Sequence, residues 1–203
     1  MFWDAVSGVY DLFSEHYNAK ADRELCGIVL GALREEDDVL ECACGTGMIT
    51  ARAAEKCRSV TATDFSEGML ERTRKKCARF PNVTAERADI TRLKYPNGAF
   101  TAVIAANVLH LLDDPAAALR ELERVCAPGG TIILPTYVNA ERKGRPNLFV
   151  RALRRAGAGF RRQFTLESYR SFLEENGMRG GAYRLTGGRM PCAAAVFRKG
   201  GSL

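Results

Sequence analysis

The sequence predicts an α/β fold: a doubly wound, seven-stranded mixed sheet that is mostly parallel, with one antiparallel edge strand. Short β-branched or apolar runs alternate with helical segments of about ten residues, and strands that helices connect run parallel. The run Phe100–Ala106 is almost wholly apolar, as in a strand buried on both faces. Two late runs meet through Gly187-Gly188, which predicts a hairpin that adds the antiparallel strand.

The individual elements follow from periodicity and capping residues. Residues 1–35 predict two helices, because apolar residues recur at helical spacing. The predicted strands are Val39–Cys42, Ser59–Thr63, Val83–Ala88, Phe100–Ala106, Thr131–Leu134, Arg179–Leu185 and Met190–Arg198. The predicted helices beyond residue 35 are Ile49–Cys57, one that begins after Ser66, Pro115–Cys126 and Thr165–Asn176. Ser66, Asp114 and Thr165 are expected N-caps, since their side chains can accept from free amides of the first turn.

Length and composition favour a single domain. The chain has 203 residues, and 46% of them are hydrophobic, which is enough for a real core. Its parts are N-terminal helices (1–35), a central core (36–136), a basic segment (137–164) and a terminal helix with a hairpin (165–203). No stretch approaches the ~20 apolar residues of a membrane span, and the first residues lack an export signal. We therefore expect a cytoplasmic protein whose seven cysteines are free thiols.

The net charge of +6 is concentrated in the basic segment, residues 137–164. Eight Lys and Arg residues lie there, against one acid, Glu141, so the rest of the chain is nearly neutral. Four interpretations stay open: a solvated surface on the substrate side, an amphipathic helix on an anionic membrane, a site for an anionic small substrate, and a nucleic-acid surface. Few aromatic residues alternate with the charges, which disfavours nucleic acid.

A glycine-containing turn follows the first predicted strand. Gly45 and Gly47 lie between that strand and a helix, where glycines let the backbone turn sharply and approach a ligand. In open α/β sheets, ligands bind beyond the carboxyl ends of the strands. Thr50 stands where a dinucleotide-binding fingerprint has its third glycine, which disfavours an NAD site. Cys42 and Cys44 lack the second cysteine pair of a zinc site, so no metal is predicted.

Acidic residues follow the second and third strands. Asp64 lies 19 residues after Gly45, where a carboxylate can accept hydrogen bonds from both hydroxyls of a ribose. The alternative is an acid that the dipole of the next helix stabilises. Asp89 can accept from an adenine amino group or cap the following turn. Phe65 and Ile90 offer apolar surface to an adenine ring.

Four motifs occur in order along the first two thirds of the chain. They are VLECACGTG (39–47), TDFSEGML (63–70), ADI (88–90) and FTAVIAANVLH (100–110). Together they resemble the motifs of class I S-adenosylmethionine-dependent methyltransferases, especially the small-molecule and quinone methyltransferase branch. The resemblance covers residues 1–136 and implies a Rossmann-like fold with N-terminal lid helices. The core would bind S-adenosylmethionine, and S-adenosylhomocysteine would be the product.

The resemblance also implies roles for matching residues. Gly45 and Gly47 would line the methionine and ribose parts of the cofactor. Asp64 would bind the ribose, Asp89 the adenine amino group, and Glu41 would orient the turn or a water near the methionine amine. The full implied cofactor-binding set is Tyr10, Glu41, Ala43, Cys44, Gly45, Gly47, Asp64, Phe65, Met69, Asp89, Ile90 and Asn107.

Two members of this set carry specific expectations. Tyr10 resembles a tyrosine on a lid helix that closes over the cofactor. Ala43 departs from the family pattern, because it stands where the family has its first glycine. Its methyl group is tolerated if the backbone φ at that position is negative.

Methyl transfer from a sulfonium depends mainly on alignment and desolvation. An acceptor hydroxyl or ammonium also needs a base to remove its proton. His110, just past the fourth strand, is the predicted catalytic residue, with a pocket-lining role as the alternative. Asn107 is expected to contact the methionine part of the cofactor or the acceptor.

The expected function is methyl transfer from S-adenosylmethionine to a small organic acceptor. Three alternatives stay open: a lipid or quinone methyltransferase at a membrane surface, a non-catalytic S-adenosylmethionine-binding protein, and an RNA methyltransferase. The small-molecule acceptor is the expected partner, with peripheral contact to an anionic membrane through residues 137–164 as a possibility. Nucleic acid is the least expected partner.

Overall fold

The computed structural model describes residues 18–138, 161–188 and 190–200. Within them the strands, numbered in chain order, are β1 Asp38–Cys42, β2 Ser59–Asp64, β3 Val83–Arg87, β4 Phe100–Ala105, β5 Cys126–Tyr137, β6 Ala182–Leu185 and β7 Cys192–Arg198. The helices are α1 Ala19–Ala32, α2 Met48–Ala54, α3 Glu67–Cys77, α4 Pro115–Val125 and α5 Leu166–Glu175.

All seven strands join one mixed sheet, which confirms the predicted fold class. The strand order is β3-β2-β1-β4-β5-β7-β6, and the first five strands in this order form four parallel pairs. The antiparallel strand is β7, which pairs with β5 over seven residues and with β6 as the predicted hairpin. The strand order reverses between β1 and β4, so the crevice where ligands bind in such sheets lies beyond the ends of these two strands.

The core lies on both faces of the sheet, because neighbouring residues of a strand point in opposite directions. Leu40 and Val103 join the apolar cluster that α4 and α5 cover with Leu119, Leu122 and Leu173. The opposite cluster contains these buried residues of the sheet, α1 and α2: Val39, Ile104, Ile133, Leu25, Val29, Ile49 and Ala53. Helices on both faces make the sheet doubly wound.

The predicted helix N-caps are confirmed. Ser66 Oγ accepts from Met69 N at 3.2 Å, and Asp114 Oδ1 accepts from Ala117 N at 2.9 Å. Thr165 forms a reciprocal capping box with Ser168. Each side chain satisfies an amide that has no partner inside its helix, so the starts of α3, α4 and α5 are set locally.

The start of β5 differs from the prediction. The sequence predicts a strand that begins at Thr131, but β5 begins at Cys126. Phe100 pairs with Cys126 and Ala102 with Thr131, so the extra residues of β5 bulge out of the sheet. Gly130 permits this bulge, since a Cβ there would lie 2.7 Å from Cys126 Sγ and 2.8 Å from two backbone oxygens.

Several sequence predictions lie outside the described residues. They include the first N-terminal helix with Tyr10, and residues 139–160 of the basic segment. All seven cysteines are described, and all are free thiols. None of the described helices combines the length and apolarity that crossing a membrane requires.

Candidate functional site

The glycine turn begins where β1 ends, beside the crevice between β1 and β4. Cys44 N donates to Thr63 O at 2.9 Å, and Gly47 N donates to Cys44 O at 3.0 Å, which fixes the turn against β2. Gly45 and Gly47 both have positive φ, at 58° and 78°. These conformations are open to glycine and strained for residues with a Cβ.

Ala43 shares this left-handed geometry, so the negative φ under which its methyl group would be tolerated without strain is not met. Its φ is 54°, in the region where Cβ lies too close to the following carbonyl. The chain reverses direction directly after Cys42, at a position where the family pattern has a glycine. An alanine in this conformation therefore destabilises the backbone by about 1–2 kcal/mol. Its methyl group packs against the core.

Thr73 contacts the glycine turn and helps to hold it. This residue was not singled out by the sequence analysis. Thr73, on α3, donates its hydroxyl to Gly45 O at 2.9 Å. A Cβ on Gly47 would lie 3.0 Å from both Thr73 Oγ1 and Thr73 Cγ2, so glycine is required there for space as well as for φ. Cys44, predicted to bind cofactor, is buried with its Sγ 3.6 Å from Thr73 Oγ1.

Asp64 and the glycine turn are joined directly. Asp64 Oδ2 accepts from Gly45 N at 2.9 Å, and Oδ1 accepts from Ser66 N at 2.9 Å. The carboxylate is half-buried and held at both oxygens. Each carboxylate oxygen has two lone pairs, so the two backbone bonds leave capacity for ribose hydroxyls.

The residues predicted for the adenine differ in accessibility. Asp89 is exposed, and its Oδ1 accepts from Thr91 N at 2.9 Å and Thr91 Oγ1 at 2.7 Å. Phe65 is 47% exposed, and the Arg87 guanidinium lies 4.9 Å from its ring centroid. Ile90 is buried and belongs to the core cluster under α4. Phe65 therefore offers exposed aromatic surface to an adenine ring, and the Asp89 carboxylate is accessible to its amino group.

Met69, also in the predicted set, is buried in the first turn of α3. Its backbone N–H is used by the Ser66 cap. The structure thus places Met69 beside the junction of β2 and α3, where Asp64 also bonds.

Glu41 is a buried carboxyl group in β1. It is 2% exposed, and Thr50 donates its hydroxyl to Glu41 Oε2 at 2.5 Å. Burial raises the Glu41 pKa to about 8, the negative charge of Asp64 adds to the rise, and the Thr50 hydrogen bond opposes it. Thr50 therefore bonds to Glu41 from the position where a dinucleotide-binding site would have its third glycine.

His110 lies on the other side of the crevice, past the end of β4. Its ring is buried, with Nδ1 3.2 Å from Thr136 Oγ1 and an edge-on contact with Tyr137. Burial lowers the His110 pKa to about 4, so the imidazole is neutral at pH 7. A neutral imidazole can accept a proton, and the lowered pKa makes it a weaker base than an imidazole with an ordinary pKa.

The loop that carries His110 is held by the last residues of the basic segment. His110 O accepts from the backbone N–H groups of Arg161 and Arg162, at 3.0 and 3.2 Å. The Arg162 guanidinium donates to Leu112 O at 2.8 Å and to Asp113 O at 3.5 Å. These contacts are separated by about fifty residues along the chain, so no local pattern could have indicated them.

Asn107 is oriented toward β5 and β7. Its φ is 54°, a left-handed conformation that asparagine tolerates, and its N–H donates to Pro135 O at 2.8 Å. Its Oδ1 accepts from Cys192 Sγ at 3.2 Å. The predicted site residues thus form two groups, one with Asp64 at the glycine turn and one with His110 and Asn107 beside β5.

Known proteins resemble this chain across the same region. A family model described as a methyltransferase domain matches residues 40–134. An uncharacterized methyltransferase of Mycobacterium bovis is 36% identical over 100 residues, 49% of this chain and 50% of that protein. A demethylmenaquinone methyltransferase of Beutenbergia cavernae is 32% identical over 137 residues, 66% of this chain and 56% of that protein. The chain spans about half the length of these curated relatives.

A solved structure carries the same fold over most of its length. It is a SAM-dependent methyltransferase from Aquifex aeolicus, with a TM-score of 0.69 at 20% identity, covering 86% of this chain and 89% of that one. The family match runs from β1 to β5 and includes the glycine turn, Asp64 and Asp89. Residues 40–134 are therefore a methyltransferase domain on the fold of S-adenosylmethionine-dependent methyltransferases, which confirms the predicted resemblance and, with it, S-adenosylmethionine as the implied cofactor.

Proposed function

We propose that the protein transfers a methyl group from S-adenosylmethionine to a small organic acceptor and releases S-adenosylhomocysteine. The observation that carries this proposal is the bond between Asp64 and Gly45 at the reversal of strand order. It places a fixed carboxylate beside a turn that can approach a ligand closely.

The residues fit the chemistry of the cofactor. Asp64 would accept from the ribose hydroxyls, Asp89 from the adenine amino group, and Phe65 would contact the purine. Glu41 and Asp64 lie close enough to interact electrostatically, and two neighbouring acids suit a cofactor that carries an ammonium and a sulfonium. The sulfonium supplies an already activated methyl group, so the protein mainly has to orient the reactants and exclude water.

In this proposal, His110 removes the proton from the acceptor. Bound at the glycine turn beside Asp64, the cofactor would supply the methyl group to the acceptor atom, and the electron pair of the methyl–sulfur bond would stay with its sulfur. An acceptor oxygen or nitrogen then loses its proton to the neutral imidazole. His110→Gln should lower kcat by about 100-fold or more and leave the Kd for the cofactor unchanged. Equal kcat values would leave His110 with a pocket-lining role.

The direct test of the function measures binding first and turnover second. Calorimetry with S-adenosylmethionine should show one site per chain, and a panel of small acceptors should yield S-adenosylhomocysteine with at least one member. Binding without turnover across the panel would favour the non-catalytic alternative. Turnover with RNA alone, lost at high salt, would favour the nucleic-acid alternative.

An uncharged quinol-type ring is the second candidate acceptor. Two sets of contacting side chains beyond β4 and at β5 and β7 are neutral: His110 with Thr136 and Tyr137, and Asn107 with Cys192. Among the curated relatives, the Beutenbergia cavernae protein is named a demethylmenaquinone methyltransferase. A neutral lining suits an uncharged ring, since a charged acceptor would lose hydration without a paired charge.

A membrane-surface reaction makes a separate prediction. Flotation with anionic vesicles at low salt should recover the protein if residues 137–164 contact lipid headgroups. Recovery with neutral vesicles only, or none at all, would contradict that contact. Acceptors added in detergent would still test the quinol itself.

A further inference from the structure

Thr50 uses its hydroxyl in an unusual direction for a helical threonine. Threonine in a helix commonly bonds back to a carbonyl of the preceding turn. Thr50 instead donates to Glu41 Oε2, nine residues earlier in β1, at 2.5 Å. Thr50 is fully buried and Glu41 is 2% exposed, so the bond is shielded from water on the strand and on the helix.

This bond distinguishes the two carboxyl oxygens of Glu41. Oε2 accepts from the Thr50 hydroxyl, so while this bond is kept a proton on Glu41 lies on Oε1. Oε1 is therefore the oxygen that the Thr50 bond leaves for a ligand.

Within the described part of the chain, no cation contributes to the shift of the Glu41 pKa, although Arg52 acts on the neighbouring Cys26. Asp64 on β2 acts on it as a like charge. Thiols lie near it on three elements: Cys42 and Cys44 at β1, Cys26 on α1 and Cys77 on α3. An ionised Glu41 thus depends on Thr50 and on a cationic ligand for stabilisation.

We propose that Thr50 is a positioning residue that holds Glu41 as an ionised acceptor for the ammonium group of the methionine part of the cofactor. The inference rests on the proposed function, since it needs the cofactor to bind at the glycine turn. An ammonium group only donates hydrogen bonds, so it needs an unprotonated Oε1. Without the Thr50 hydroxyl, Glu41 keeps its proton on more molecules, and the ammonium meets a carboxylic acid.

The test compares Thr50→Val, which removes the hydroxyl at nearly constant shape, with Thr50→Ser, which keeps it. Calorimetry measures the Kd for S-adenosylmethionine from pH 6.5 to pH 9. At pH 7 we expect the valine variant to bind about tenfold more weakly than wild type, the scale of one lost hydrogen bond to a charged group, and the serine variant to bind normally. The deficit should shrink toward pH 9, where Glu41 ionises without help.

The ratio of the two Kd values is the informative quantity, because the ammonium of the ligand titrates identically in both measurements. A deficit that stays constant from pH 6.5 to 9 would indicate a purely structural role and would overturn the proposal. Equal affinities at pH 7 would also overturn it.

Glu41→Gln provides the second arm. Glutamine cannot ionise, so the effect of Thr50→Val in this background should not depend on pH. Adding Thr50→Val to the Glu41→Gln variant should also change the Kd little. A full tenfold loss in the Glu41→Gln background would show that Thr50 acts through another group. Wild type that fails to bind S-adenosylmethionine would refute the proposed function instead, so the two failures are distinguishable.

Discussion

Gly45 donates its backbone N–H to Asp64 Oδ2 at 2.9 Å, although the two residues are 19 positions apart. The bond unites the turn after β1 with the acid at the end of β2. Because Ser66 N holds the other carboxylate oxygen, Asp64 also connects the turn to the start of α3. One side chain therefore fixes three backbone segments around the place where a ribose would bind.

Asp64→Ala should weaken the binding of S-adenosylmethionine by about 2 kcal/mol or more, since hydrogen bonds to a charged acceptor contribute ~1.5–3 kcal/mol each. Calorimetry checks this value directly. Glu71→Ala is the matched control, because Glu71 is an exposed acid on α3, the helix that follows Asp64. Equal affinities for wild type and the Asp64 variant would remove Asp64 from the cofactor site.

Ala43→Gly should stabilise the protein by about 0.5–1 kcal/mol. Glycine relieves the left-handed strain, and the lost methyl contact and the greater freedom of the unfolded chain offset part of that gain. Urea unfolding measures the free energy of unfolding. For a chain of this size the melting temperature should rise by about 1–4 °C.

Ala51→Gly serves as the control for the same chemical change in the helical backbone of α2. There glycine should destabilise by about 1 kcal/mol. If both variants lose stability equally, the φ of Ala43 is not a source of strain.

The sequence could predict the parts of the site that depend on local signals. Asp64 was found because it ends a β-branched run at a fixed distance after a glycine turn. Ser66, Asp114 and Thr165 were recognised as caps because capping involves residues three positions apart. Such features need no knowledge of the tertiary contacts.

The parts that were missed depend on long-range packing. Thr73 reaches Gly45 across 28 residues, and Arg162 reaches Leu112 across 50. Thr50 was noticed only as a missing glycine, since nothing in its spacing reveals that Glu41 is its partner. The positive φ at Ala43 could not be predicted either, because a buried turn can impose backbone strain that the amino-acid sequence does not show.

His110 should make the protein less stable as the pH falls from 6.5 to 4. The His110 pKa is lowered from 6.5 to about 4, so the unfolded chain binds the proton first and the stabilisation present above pH 6.5 is lost on acidification. The shift of the His110 pKa contributes about 3 kcal/mol to the free energy of unfolding above pH 6.5, and about 2 kcal/mol of this is lost by pH 5.

His110→Gln isolates this contribution, because glutamine does not titrate and can still bond to Thr136. Urea unfolding of both proteins at pH 7 and pH 5 gives the comparison. Wild type should lose about 2 kcal/mol more than the variant between these pH values. Parallel losses would mean that the imidazole is protonated in the folded protein at pH 5.

Arg162→Ala should lower kcat more than it changes the Kd for S-adenosylmethionine. Its guanidinium holds Leu112 O and Asp113 O, so its loss leaves the segment after His110 less constrained while the glycine turn and Asp64 stay intact. We expect a loss of stability of about 1 kcal/mol, the scale of a single hydrogen bond. Arg161→Ala is the control, since Arg161 is exposed and, among the described residues, its side chain pairs with exposed Asp113, a contact worth ~0–1 kcal/mol. Steady-state kinetics and calorimetry on both variants separate the effects: equal kcat values for the two would show that the backbone bonds to His110 O suffice to hold the loop.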